Sequence, residues 1–198
     1  MKADQFPKTV TITEVGMRDG FQFEEKPIPT SLKLDVLNGL IDAGVKRIQV
    51  TSFVHPKWVP QMADAEELVA LLPKRAGVVY TGLALNTRGV ERAAKAGITH
   101  VDLSISTNDL HSQDNANMSR EKAISQALDM VSLANSYGME AQMGFQCVFG
   151  YTATGDTPLE LILEMTAQFV SQGISSLSLA DSTGMANPLL IKETVTAV

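Results

Sequence analysis

Short β-branched or aliphatic runs alternate with longer amphipathic segments along this chain. TVTITEV (9–15) sets apolar residues on alternate positions and predicts a strand. PIPTSLKLDVLNGLIDAG follows, with Leu34, Leu37 and Ile41 on one helical face, Thr30 or Ser31 as the cap and Gly44 as the stop. Further strands are predicted at 45–53, 77–85, 98–106, 139–150 and 174–181. The segments between them predict helices in ADAEELVALL, NTRGVERAAKAG, SREKAISQALDMVSLANSYG and PLELILEMTAQFVSQG, and NPLLIKETVTAV begins a last one. Ser119 and Asn187 are expected caps, and Thr157 is expected to start a capping box completed by Glu160, with Pro158 in the first turn. HPKWVPQM and TNDLHSQDNANM read as loops.

DAGVKRIQV, KAGITHVDL and SQGISSLSL share one punctuation: a helix, a stopping glycine, then a strand. This is a repeated βα unit, produced by both a doubly wound sheet and a (β/α)₈ barrel. No G-x-G-x-x-G follows the first strand and no G-x-x-x-x-G-K-[ST] occurs, which weakens the nucleotide-binding sheet. The units average roughly 30 residues, the spacing of a barrel of ~250 residues in eight units. The expectation is one domain, 1–198, forming an incomplete TIM (β/α)₈ barrel of about six βα units, truncated before strands seven and eight. Such an open barrel is expected to expose two strand edges and apolar inner layers.

With 44% hydrophobic residues, the 198-residue chain can bury one sizeable core. A formal charge of −6 and the lack of a Lys/Arg cluster argue against a nucleic-acid partner. Cys147 is the one cysteine, so no internal disulfide forms and a reducing compartment is expected. No apolar run approaches ~20 residues, and no membrane partner is expected. The expected location is cytoplasmic.

Chemistry in α/β folds gathers at the carboxyl ends of strands. There the first strand delivers EVGMRDGFQFEE, with Arg18 and Asp19 between Gly16 and Gly20. Two readings stand. Asp19 is a hard oxygen ligand for a divalent cation and Arg18 a partner for a carboxylate or a developing enolate; or the segment is a turn held by an Asp side chain, with Arg18 in solvent. Glycines on both sides allow close backbone approach. On the second strand, Gln49 and Thr51 share a face by alternation, marking a polar site or a satisfied core amide. Strand four brings Asp102, Ser104 and Ser106, and strand six brings Asp181 and Ser182. His100 falls at the opposite end of its strand and reads as structural. His111, between Asp109 and Asp114, marks a surface metal site or a solvated loop. Cys147, placed within strand five, reads as a small buried hydrophobe, and VFGYTATGDTP after it as a mobile segment able to cover a substrate.

EVGMRDGFQFEE, TSFVHPKWVPQMADAEEL, GFQCVFG and LADSTGMANP together resemble the hydroxymethylglutaryl-CoA lyases, within the metal-dependent lyase and aldolase-like barrel superfamily. The resemblance runs through the whole chain but corresponds to the first two thirds of a family member. It implies a (β/α)₈ barrel and a retro-Claisen carbon–carbon lyase that converts 3-hydroxy-3-methylglutaryl-CoA to acetyl-CoA and acetoacetate with a divalent cation, Mg or Mn. It assigns Arg18 to the enolate, Asp19 to the metal and Gln22 to the neighbourhood of the acyl-CoA substrate; Gln49 and Ser52 on strand two are further candidates to bind that substrate. The sequence departs from the family pattern I-E-x-T-S-F by reading IQVTSF, so a neutral amide stands at Gln49. It also carries Phe23 where the commoner motif has Asn. The family's His-x-His pair and catalytic-loop cysteine have no counterpart among these residues, so weak metal binding and little activity are expected of this chain alone. A related acyl-CoA condensing enzyme or lyase with another hydroxy acid is the alternative reading. A non-catalytic barrel piece that associates with itself, possible as a homo-oligomer, or with a partner is a third.

Overall fold

Six parallel strands lie in one sheet in the order of the sequence: β1 (Thr13–Glu14), β2 (Arg47–Ser52), β3 (Val79–Ala84), β4 (His100–Ser106), β5 (Glu140–Gln146) and β6 (Ser176–Leu179). The computed structural model describes residues 8–198. A doubly wound sheet reverses its strand order where the winding turns back. This sheet never does, which decides for an incomplete TIM barrel. The helices are α1 (Asp19–Gln22), α2 (Thr30–Asp42), α3 (Ala65–Ala70), α4 (Thr87–Ala96), α5 (Asp109–Ala116), α6 (Arg120–Ser136), α7 (Leu159–Ser171) and α8 (Pro188–Ala197), with a 3₁₀ turn at Pro60–Met62. Gly44, Gly97 and Gly173, the repeated stops, all take positive φ (93°, 100° and 91°), which a side chain would strain.

One sheet face carries the core. Ile48, Val50, Val101, Leu103, Met143 and Phe145 are buried in one cluster with Leu37 of α2, Val90 of α4, Val131 of α6 and Phe169 of α7. Phe145 meets Phe169 edge to face, with centroids 5.7 Å apart. Each large side chain so buried contributes roughly 1.5–3 kcal/mol of transfer free energy. The register sets the other face: Gln49 beside Thr81, Asp102 beside Gln142, and Gln142 beside Ser176. Apolar inner layers were expected, but the interior positions of β4 and β5 are polar or glycine: Asp102, Ser104, Ser106, Gln142, Gly144 and Gln146. The hydrophobic content of these strands goes to the helix-facing side alone.

Strand β2 corrects the simple alternation. Gln49 pairs with Thr81, Thr51 with Gly82 and Ser52 with Leu83, so a bulge sits at Val50. The extra residue turns Thr51 away from Gln49, and its Oγ1 meets Met62 Sδ at 3.7 Å. Ser52 takes the interior place instead.

Other expectations change for local reasons. The first strand shrinks from 9–15 to two residues, because only Thr13 and Glu14 find partners on β2. The polar stretch after β4 is the helix α5, not a loop. Asn108 caps it by accepting from the His111 N–H, and Asn117 ends it at φ 51°. Neither Thr30 nor Ser31 caps α2; the Thr30 hydroxyl donates to Asp64 instead. Thr157 forms no capping box, since its hydroxyl donates to the Cys147 carbonyl. Ser119 and Asn187 cap as expected, and Asn86 caps α4.

Among the described residues, β1 and β6 each pair on one side only. Val10 and Ile12, before β1, are 75% and 71% exposed, and Leu189 and Val195 of α8 are also exposed. Unpaired edges beside apolar side chains favour association. The 198-residue chain produced alone is therefore expected to self-associate in sedimentation or light-scattering measurements at micromolar concentration. A single monomeric species across that range contradicts this.

Candidate active site

The segment after β1 folds into one tight helical turn. Val15 O accepts from the N–H groups of both Arg18 and Asp19, and Gly16 O accepts from Phe21. The Gly16 N–H donates to Glu14 Oε1 at 2.6 Å, and a Cβ at this position would lie 2.8 Å from that oxygen and push the flexible Glu14 side chain aside. Gly20 has open space around it. A turn is therefore present, but the Asp19 side chain does not hold it. Asp19 Oδ1 accepts from Arg18 Nη1 at 2.6 Å, and Asp19 stays 51% exposed.

Arg18 is not a solvent-facing side chain. It is 18% exposed and reaches across to β2, where Nε donates to Gln49 Oε1 at 2.5 Å. Gln49 Nε2 donates in turn to Asp102 Oδ2, which also accepts from Thr81 Oγ1, both at 2.5 Å. Arg18, from just past β1, and three residues from within β2, β3 and β4 thus make one connected polar chain. Gln49 is both a satisfied buried amide and the support of a candidate catalytic residue.

Above this chain opens a cavity of about 510 Å³. Arg18, Asp19, Gln22, Ser52, Ser104 and Gln146 are among its polar lining, and Val54, Val59, Leu83, Leu85 and Met118 among its apolar lining. Arg18, Asp19, Gln22 and Ser52, expected from the sequence, thus share one cavity. Gln49 lies beneath it, bonded to Arg18 rather than lining the space. Thr81 and Asp102 were not singled out as site residues, although the polar alternation Asp102, Ser104, Ser106 on β4 was their signal.

For a divalent cation, Asp19 fits as one exposed oxygen donor. Among the described residues, no group of three or more His, Cys, Asp or Glu side chains gathers to hold a metal. The residues present therefore do not complete a ligand set. His111 is in no metal cluster either: Asp109 accepts from the Arg120 N–H, and Asp114 from the Tyr151 hydroxyl. His111 instead stacks edge-on to Tyr151 at 5.0 Å, and burial lowers its pKa against the opposing pull of Asp114. The hydrogen bond to Asp114 raises that of Tyr151. His100 lies 3.3 Å from Glu140, at the amino ends of β4 and β5, away from the cavity.

Cys147 falls one residue past β5, not within it. It is fully buried, with φ 56°, its N–H donating to Ser182 Oγ and its carbonyl accepting from Thr157. Burial raises the thiol pKa, which suits a packing residue rather than a nucleophile. The following loop is pinned by Asp156. Its carboxylate accepts from the N–H groups of Tyr151, Thr152 and Ala153 and from the Thr152 hydroxyl. Those bonds, led by the Thr152 hydroxyl, hold the Asp156 pKa at about 2.

A model of the HMGL-like family matches residues 9–198. This chain belongs to that family. It is 35% identical over 197 residues to the hydroxymethylglutaryl-CoA lyase YngG of Bacillus subtilis, covering 98% of the chain and 64% of the relative. The crystal structure of the Bacillus subtilis HMG-CoA lyase superposes with a TM-score of 0.90 at 34% identity, over 97% of this chain and 64% of that one. The HMG-CoA lyase from Acinetobacter baumannii, solved in complex with coenzyme A and 3-methylmalate, superposes at 0.86 with 30% identity, over 94% and 61%. The chain thus spans under two thirds of the length of these relatives. No described helix is long and apolar enough to cross a membrane.

A buried ion pair ties α2 to the neighbouring loops. Lys33 of α2 is 1% exposed; its ammonium donates to Asp64 Oδ1 at 2.6 Å and to Gln61 O at 2.7 Å. Gln61 Nε2 then donates to Glu24 O, tying the loop after β2 to the loop after α1. Asp64→Ala strands a buried ammonium. A loss of about 3 kcal/mol is expected in denaturant unfolding, the low end for a broken buried pair because Asp64 is 18% exposed.

The Asp156 loop responds to pH with a definite sign. Its carboxylate pKa is depressed in the fold, so its contribution is present above the ordinary value of 3.8 and is lost as pH falls through about 2. Protection of the Thr152 and Ala153 amides, taken as the exchange rate relative to an unstructured peptide at the same pH, is expected to be high near pH 5 and to fall toward pH 2. Asp156→Asn should show the low protection already at pH 5.

Proposed function

We propose that this chain provides the first part of the active-site barrel of a carbon–carbon lyase that cleaves 3-hydroxy-3-methylglutaryl-CoA to acetyl-CoA and acetoacetate. The observation that carries the reading is the placement of Arg18. Its guanidinium lies at the cavity, gripped through Nε by Gln49 and through Nη1 by Asp19, while Nη2 has no hydrogen bond among the described residues. A donor held in this way is preorganised for an oxygen on which negative charge develops. In a retro-Claisen cleavage the tertiary hydroxyl loses its proton and becomes the ketone of acetoacetate. The broken bond's electron pair passes to the thioester as the acetyl-CoA enolate, which a proton then quenches. Arg18 meets the enolate oxygen. Gln22 and Ser52 line the space for the acyl group.

A divalent cation, Mg or Mn, belongs to this reading, with Asp19 as one of its ligands. A cytoplasmic setting belongs to it as well, supported by a cysteine content that permits no internal disulfide. A related enzyme acting on another hydroxy acid is the second reading. It is favoured by Phe23, 79% exposed in the loop after α1, and by the neutral amide at Gln49.

The test is acetoacetate release from 3-hydroxy-3-methylglutaryl-CoA by the intact protein with Mg²⁺ or Mn²⁺. Arg18→Gln is expected to lower kcat by about 10²–10³, the loss typical of one oxyanion donor, with a smaller change in KM. No release by the unaltered protein sinks the first reading, and turnover of a different acyl-CoA then supports the second.

A further inference from the structure

Asp102 is 5% exposed in β4, one layer below the cavity, and its side-chain hydrogen bonds reach the cavity lining only through Gln49 and Arg18. Its Oδ2 takes both the Thr81 hydroxyl and the Gln49 amide N–H, and its Oδ1, buried without a hydrogen bond, lies 3.9 Å from Arg47 Nη2. A glutamine amide has two unlike ends, one donor and one acceptor, and little intrinsic preference between its two orientations. An ionised carboxylate only accepts. Facing one, Gln49 must present its NH₂ end to Asp102 and its oxygen to Arg18. The Arg18 Nε–H, a donor only, asks for the same orientation, and Asp102 anchors the far end of the amide; without that anchor Gln49 is held in place by Arg18 alone.

We propose that Asp102 is a positioning residue for Arg18: it locks the Gln49 amide with its oxygen toward the guanidinium, and so supplies through one relay the hold that a carboxylate at position 49 would give directly. This rests on the reading of Arg18 as the enolate donor. It also inverts the simple view that Gln49 weakens the site. The negative charge is present, two strands further along the barrel, with Arg47 and Thr81 as its partners.

Moving the charge tests the relay. In the intact protein, Asp102→Asn offers both ends of an amide to Gln49 and no longer dictates its orientation. A roughly tenfold fall in kcat with little change in KM is expected, as for a modest misplacement of a catalytic group. Gln49→Glu alone sets two carboxylates face to face and is also expected to lower kcat. The double variant Gln49→Glu/Asp102→Asn returns one carboxylate, now against Arg18, and is expected to recover kcat to within about threefold of the unaltered protein, within the spread of non-additive pairs. A purely structural Asp102 does not give this reciprocal rescue. Wild-type kcat in Asp102→Asn overturns the proposal. So does a gain in Gln49→Glu alone, or a double variant no better than its worse parent.

A second readout needs no turnover. The Arg18 Nε–H resonance in ¹⁵N spectra is expected to resist solvent exchange in the unaltered protein and the double variant, and to lose that protection in Asp102→Asn. Unchanged protection in Asp102→Asn overturns the relay. If the unaltered protein releases no acetoacetate, the lyase reading alone fails, and this resonance still decides whether Asp102 positions Arg18.

Discussion

A carboxylate taken out of water must be given partners, and the interior of this sheet is arranged around that requirement at Asp102. Withdrawing such a charge costs several kcal/mol even after relaxation. Here the cost is offset by the Thr81 hydroxyl, the Gln49 amide and the nearby Arg47 guanidinium, from β3 and β2. Each partner must sit in register for this to work, so parallel pairing and the buried charge support one another. Gln49 opposite Thr81 is both a step of the ladder and a contact of the polar chain.

The consequence reaches the cavity through Arg18. The guanidinium is long and flexible, and a free one would lose much of its value as a donor to the entropy of ordering it. Two grips on separate nitrogens, from Gln49 and Asp19, remove most of that freedom in advance. The bulge at Val50 completes the arrangement. Without the extra residue, Thr51 would face the cavity and Ser52 the helices. With it, Ser52 lines the cavity and Thr51 packs on Met62. One backbone irregularity thus determines which hydroxyl a substrate meets.

The repeat of strand, helix and glycine stop was legible in the sequence because apolar periodicity reports the helix-facing side of each element, where the core lies. The EVGMRDGFQFEE and TSFVHPKWVP motifs led to Arg18, Asp19, Gln22 and Ser52, which the fold brings to one cavity. Three things were not legible. A bulge inserts a residue without any composition mark, so alternation put Thr51 on the wrong face. Helix α5 has few apolar residues and reads as a loop unless Asn108 and Asn117 are taken as its two caps. Asp102 looks like any strand-end carboxylate until the neighbouring strands show that Gln49 and Thr81 converge on it. Long-range pairing is information that a single chain's local pattern does not hold.

The same pairing explains why polar side chains predicted as caps were not. Thr30 and Thr157 sit where a hydroxyl would accept a helix N–H, yet both donate elsewhere, Thr30 to Asp64 and Thr157 to the Cys147 carbonyl. A cap contributes about 1 kcal/mol. An unpaired buried carbonyl or a half-satisfied carboxylate beside a buried ammonium costs more. The hydroxyls therefore go to the tertiary contacts. Those contacts hold the segments after β2 and β5 against the rest of the fold. Helix-end stability is given up at two positions, and the packing of those two segments is what it secures.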